Sequence, residues 1–203
     1  MTTLYYIHDP MCSWCWGFKK TWLRLQQKLP ITIQTEYLLG GLAIDNDEAM
    51  PLPMQETIQN TWHNIQKHIP DVKFNFDFWL NNIPRRSTYP ACRAVIAARN
   101  QNHHIEMIKT IQQSYYLEGL NPSDNNVLCQ CAKQLNLKMK SFEKDLDSTQ
   151  TQAILEKEIK LSRELGAQGF PSLILEHNNK DYFIEINYND YHQMLRTIET
   201  IIR

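Results

Sequence analysis

The sequence carries no excess of charge of either sign. Its 21 Lys and Arg stand against 22 Asp and Glu, for a formal net charge of −1. It therefore lacks the basic field by which proteins hold nucleic acid or an acidic membrane surface, and neither is expected as a partner. Nowhere are there 18 consecutive apolar residues, about the length a membrane-spanning helix needs. The first nine residues, Met-Thr-Thr-Leu-Tyr-Tyr-Ile-His-Asp, show no basic n-region, no apolar h-region and no small-residue cleavage site, which leads one to expect a cytoplasmic protein. Cysteine is sparse and odd in number: Cys12, Cys15, Cys92, Cys129 and Cys131 are the only five in 203 residues. An odd count in a long chain argues against a framework of structural disulfides, and leaves cysteines that are packed, metal-bound or catalytic.

Internal repeats, low-complexity tracts and flexible linkers are absent as well, so the chain reads as one α/β unit with an insertion. Thr3–His8 is a β-branched and aromatic run, expected as a strand. After a turn at Asp9-Pro10, the apolar residues Phe18, Trp22, Leu25 and Leu29 recur at helical spacing with Lys19, Lys20, Arg24 and Lys28 between them, and Pro30 should stop the helix. Ile31–Leu39 is a second strand, ended by Gly40-Gly41. The middle holds only helical stripes: Ile58, Trp62, Ile65 and Ile69; Ala91, Ala94, Val95 and Ala98 behind Pro90; Ile105, Ile108 and Tyr115; Val127, Leu128, Cys131 and Leu135; Ile154, Leu161 and Leu165. The end returns to strands at Ser172–Glu176 and Tyr182–Ile186 around the loop His177-Asn178-Asn179-Lys180. A last helix follows, with Tyr191, Leu195, Ile198 and Ile202 on one face and Asn189-Asp190 as its cap.

Cys12-Ser13-Trp14-Cys15 falls where the first strand becomes the first helix. The first N–H groups of a helix have no intrahelical partners and the macrodipole is positive there, so a thiolate at that end is stabilised. The thiolate is the form that attacks disulfides, and two intervening residues let a second sulfur reach the first within one turn. Cys12, at the open end, is the expected nucleophile; Cys15, one turn inside, is the expected resolving partner. Ser13 offers a hydroxyl. Trp14, with Trp16 and Phe18 beyond it, either lines an apolar surface for a substrate or, for the latter two rings, packs into the core. Cys12, Cys15, Cys129 and Cys131 would supply the four sulfurs of a zinc site, but Cys129 and Cys131 lie two apart on an expected helix and point to different sides. Neither metal nor cofactor is expected. Cys131 and Cys92 read as small core residues and Cys129 as the exposed extra thiol.

Gly166-Ala167-Gln168-Gly169-Phe170-Pro171-Ser172 precedes the third strand, a position where proline is tolerated because its missing N–H is not required. With this segment, the helical block and Asp9-Pro10-Met11-Cys12-Ser13-Trp14-Cys15-Trp16-Gly17-Phe18, the chain resembles the DsbA-like branch of the thioredoxin superfamily, its cytosolic members above all, over essentially its whole length. The resemblance implies a thioredoxin fold with a large all-helical insertion: a thioredoxin-like domain of residues 1–42 and 166–203 and an insertion domain of residues 43–165. It implies a protein disulfide oxidoreductase, with protein or small-molecule thiols and disulfides as partners, glutathione among the candidates. It also implies a cis Phe170–Pro171 bond facing Cys12, with the Phe170 backbone pairing to an extended substrate. The Ser13-Trp14 dipeptide departs from periplasmic DsbA in lacking His, which removes a positive partner for the thiolate. His8, at the end of the first strand, is a candidate replacement that tunes Cys12; Glu36, on the second strand, is a candidate buried carboxylate relaying the proton of Cys15. A competing reading is a glutathione-dependent transferase or isomerase of the kappa-class type, which shares the fold but keeps Ser in place of the dithiol. Another is a non-catalytic peptide-binding module that uses the Trp-rich face.

Overall fold

The computed structural model describes residues 2–203. Strand β1 (Thr2–His8) runs into helix α1 (Ser13–Gln26) and the chain returns as β2 (Ile33–Leu39), parallel to β1 from the Thr2–Ile33 pair to His8–Leu39. Strand β3 (Ser172–His177) lies antiparallel on the other side of β1, with Ser172 opposite Ile7, and β4 (Lys180–Ile184) closes the sheet as a hairpin. The order is β2-β1-β3-β4. Between β2 and β3 come α2 (Leu52–His68), α3 (Phe78–Asn81), α4 (Tyr89–Arg99), α5 (His104–Tyr116), α6 (Asn125–Gln134), α7 (Met139–Leu146) and α8 (Thr149–Glu164); α9 (Tyr191–Ile202) ends the chain. This is an α/β fold carrying a large all-helical insertion, as the sequence leads one to expect. The Ser172–Ile7 pairing sets the segment just before β3 beside the end of β1, although some 160 residues separate them in sequence.

Side-chain alternation along β1 sorts the cores. Leu4 and Tyr6 pack with Phe18, Trp22 and Leu25 of α1 and with Met194 and Ile198 of α9. Ile7 points to the opposite face, where it meets Leu38 and Ile174, flanked by Phe170. The helical block has its own core, centred on Trp62, which is wholly buried. The Trp62 ring centroid lies 4.8–6.0 Å from those of Phe74, Phe76, Phe78, Trp79, Tyr115 and Tyr116.

Element ends differ from the sequence expectation where local geometry decides them. Helix α1 stops at Gln26, not at Pro30, because Lys28 and Leu29 both turn their N–H groups onto Leu25 O in a tightening last turn. Ile31 is fully exposed and β2 begins two residues later. Helix α3, four residues long, is too short to show a stripe, and the stripe of α7 is only Met139, Phe142 and Leu146. The hairpin turns on Asn178 and Asn179, both at positive φ (52° and 59°), the conformation that matches strand twist in two-residue loops and that Asn tolerates. Asp190 caps α9 by accepting the His192 N–H at 2.9 Å.

Trp62→Ala would open a large void among six rings, and should lower unfolding free energy in urea by about 3–5 kcal/mol. A loss under about 1 kcal/mol would mean that the block's core is not organised around this ring.

Candidate active site

Both halves of the site come from strand ends. The turn after β1 is fixed by Asp9: its carbonyl accepts Cys12 N–H at 3.0 Å, and its carboxylate is fully buried. One carboxylate oxygen accepts Met11 N–H at 2.8 Å; the other accepts Leu42 N–H at 2.8 Å, the Thr88 hydroxyl at 2.7 Å and, more weakly, the Cys92 thiol at 3.5 Å. Burial raises the Asp9 carboxyl pKa against the pull of these donors. The turn is also held from above, where the Tyr116 hydroxyl donates to Met11 O at 2.7 Å.

Cys12 is the N-cap residue of α1, in extended conformation, and its sulfur accepts the Cys15 N–H at 3.3 Å. This is the helix-terminal bond that serine or aspartate oxygens make at ordinary N-caps, here made to sulfur. The Cys12 thiol in turn donates to Phe170 O at 3.4 Å, and the Phe170–Pro171 bond is cis. The two segments that the sequence singles out are therefore in contact. Cys15 lies one turn below, 1% exposed; burial first, then the adjacent Cys12 sulfur, pushes its thiol well above the usual range. The two cysteines are not bonded to each other.

Gly40 and Gly41 make the approach possible. A Cβ on Gly40 would stand 1.9 Å from the Phe170 ring, and Gly41 sits at φ +64° against Ile159. Trp14 stacks at a tilt on Tyr188, 5.0 Å away. Together with Cys12, Trp62 and Phe170 it lines a cavity of ≈ 320 Å³ between the dithiol and the helical block. Ser13 also borders this cavity, and its hydroxyl makes no hydrogen bond to the Cys12 sulfur among the described residues. Phe18 is core and Trp16 is half-buried, stacked on Tyr116 with its N–H on Lys73 O.

A family model described as thioredoxin matches residues 5–197. The chain belongs to the thioredoxin family. Its fold is the DsbA-like form with the helical insertion. The cytosolic disulfide reductase DsbM of Pseudomonas aeruginosa superposes with a TM-score of 0.80 over 99% of this chain and 98% of that one, at 22% identity. DsbA of the same organism superposes with a TM-score of 0.61 over 99% and 82%, at 12% identity. Among curated proteins, the ClpXP adapter protein SpxH of Halalkalibacterium halodurans is 21% identical over 88% of this chain, and that of Bacillus cereus 25% over 87%. The chain spans about 60% of the length of these curated relatives. No helix of the described residues is long and apolar enough to cross a membrane, and none of their His, Cys, Asp and Glu side chains form a group of three or more that could hold a metal ion.

Two residues of this thioredoxin-family site do not sit as the sequence suggests. Glu36 shares the sheet face of Tyr5 and Leu38, opposite α1, and accepts from Gln34 near solvent at 3.1 Å; the strand's period of two turns it away from Cys15. His8 is wholly buried, stacked on Tyr6 at 5.1 Å, with neither ring nitrogen hydrogen-bonded. Burial, then the Arg99 and His104 charges, lower its pKa from 6.5 to about 3. A ring held neutral cannot be the missing cation beside Cys12. Sequence reasoning also passed over Asp9, reading it as a turn former; its place just before the dithiol was the available signal.

The His8 shift has a consequence for stability. A folded pKa below the unfolded one means that the unfolded chain binds the extra proton, so stability falls as pH drops from about 6.5 toward about 3. Between pH 6.5 and 5 the loss due to His8 is about 2 kcal/mol. His8→Phe should flatten the pH dependence of the urea midpoint over that range; an unchanged slope would place His8 in contact with water or with an acid.

Proposed function

We propose that the chain is a protein disulfide oxidoreductase working through the Cys12–Cys15 dithiol. The observation that carries this reading is the Cys12 sulfur itself, set at the N-terminus of α1, accepting the Cys15 N–H, facing the Phe170 carbonyl, with a second thiol buried beneath it. The Cys12 thiolate attacks one sulfur of a substrate disulfide. That S–S bond breaks, one substrate thiolate leaves with the electron pair, and a mixed disulfide forms on Cys12. Cys15 then attacks the Cys12 sulfur and gives up its proton to the departing second thiolate, closing a Cys12–Cys15 disulfide. The substrate gains two electrons and the protein loses two; run backward, the same steps oxidise a dithiol. Burial keeps Cys15 protonated at rest, which suits a group used only after the mixed disulfide has formed.

Phe170 and Pro171 form the substrate edge: the Phe170 carbonyl, engaged by the Cys12 thiol at rest, becomes a free acceptor for a substrate N–H once Cys12 ionises or bonds. Trp14 and Ser13 flank the sulfur on the other side. Partners are thiols and disulfides, supported by a solved structure of Pseudomonas aeruginosa DsbM with GSH, which this chain matches at a TM-score of 0.79. A cytoplasmic site of action, and residues 1–42 with 166–203 as the thioredoxin-like domain around a 43–165 insertion, belong to the same reading. The paired cysteines weigh against transferase chemistry of the kappa-class type. The adapter name of the curated relatives favours one second reading, in which the same face docks a protein without turning it over.

Insulin reduction by dithiothreitol should be accelerated by the wild-type protein and not by Cys12→Ala, while Cys15→Ala should accumulate mixed disulfides at Cys12 visible by mass spectrometry. Wild-type protein that leaves the reaction at its background rate would favour the docking reading.

A further inference from the structure

The cavity beside Cys12 has one charged group without a counter-ion. Its wall includes the consecutive arginines Arg85 and Arg86. Arg85 is committed: its guanidinium pairs with Asp124 and donates to Ser123 O at 2.8 Å. Nearby arginines are committed too, Arg93 to both oxygens of Asp45 at 2.7 and 2.8 Å and Arg99 to Glu158. Arg86 is partly buried, yet among the described residues it makes no ion pair and no side-chain hydrogen bond. Charged side chains withdrawn from water are ordinarily paired. The two buried acids are already engaged, Asp9 by Met11, Leu42, Thr88 and Cys92 and Glu158 by Arg99 and the Leu39 N–H. An unpaired guanidinium, a fork of donors shaped for a carboxylate, thus lines the same ≈ 320 Å³ cavity as the Cys12 sulfur.

We infer that Arg86 selects the substrate: the dithiol exchanges with a small thiol or disulfide that bears a carboxylate, held by Arg86 while its sulfur meets Cys12. This rests on the dithiol reading above and names the substrate class for that site. The size of the cavity, ≈ 320 Å³, favours a ligand of a few residues over a folded protein surface. Apolar walls at Trp14, Ile58 and Phe170 take the ligand's chain; the Thr57 and Thr61 hydroxyls already donate to Pro53 O and Thr57 O and remain as acceptors. The overall reaction remains balanced: reduced protein plus one disulfide gives the Cys12–Cys15 disulfide plus two thiols, with no other reactant.

The test is single-turnover oxidation of the reduced protein by two disulfides, glutathione disulfide and the uncharged bis(2-hydroxyethyl) disulfide. The ratio of their second-order rates, the former over the latter, should fall about tenfold in Arg86→Gln, as expected for loss of a charge-assisted contact, and should largely return in Arg86→Lys. Should Arg86→Gln fail to fold, wild-type protein offers the same comparison between glutathione disulfide and its carboxyl-esterified form, the ester reacting about tenfold more slowly. An Arg86→Gln ratio equal to that of wild type, or an ester as fast as the acid, overturns the inference. Failure of wild-type protein to react with either disulfide overturns the dithiol reading beneath it instead.

Discussion

A single buried carboxylate organises the site. Asp9 has no exposed surface, and it reaches three parts of the chain at once: Met11 in its own turn, Leu42 in the loop after β2 and Thr88 at the start of α4. Its carbonyl also takes the N–H of Cys12. An unpaired carboxylate at that depth is costly, and one supplied with donors can be tolerated. The donors come from the sheet unit and from the helical block alike, so the group that shapes the dithiol turn also ties the insertion to it. The fold positions the Cys12 sulfur through this anchor on one side and through the Ser172–Ile7 strand pairing, which brings up the Phe170 carbonyl, on the other.

The two thiols are then separated by environment. Cys12 caps a helix and has a hydrogen-bond partner on either side; Cys15 is sealed under it, among Tyr6, Tyr116 and Tyr188, whose hydroxyls are themselves driven upward in pKa by burial and by proximity to the sulfurs. Nothing cationic among the described residues bonds to the Cys12 sulfur, and His8, the imidazole at the end of β1, stays neutral far below physiological pH. The groups hydrogen-bonded to the Cys12 sulfur are the Cys15 N–H, at the N-terminal end of α1, and the Phe170 carbonyl.

Much of this was legible in the residues. The Cys12–Cys15 spacing at a strand-to-helix junction, the helical stripes of the middle and the hairpin at Asn178-Asn179 each follow from a local rule, and each is where the sequence puts it. What escaped notice depends on contacts between distant segments. Asp9 looks like a turn residue until Leu42 and Thr88 arrive. Glu36 was a plausible relay until the strand's alternation set it on the face away from α1. His8 was a plausible cation until burial without partners was known. Arg86 is indistinguishable in sequence from Arg85, and only the placement of Asp124 separates them.

In the proposed mechanism, helix-end placement rather than exposure selects the reactive sulfur. Cys12 is 5% exposed, whereas Cys129 on α6 lies nearer the surface, with a pKa raised by partial burial and by Glu143. Brief treatment of the reduced wild-type protein with iodoacetamide near neutral pH, followed by peptide mapping, sets the two against each other. Carbamidomethylation is expected at Cys12 first, with Cys15, Cys92 and Cys131 untouched and Cys129 lagging. Labelling of Cys129 ahead of Cys12, or of Cys15 at a comparable rate, would contradict it.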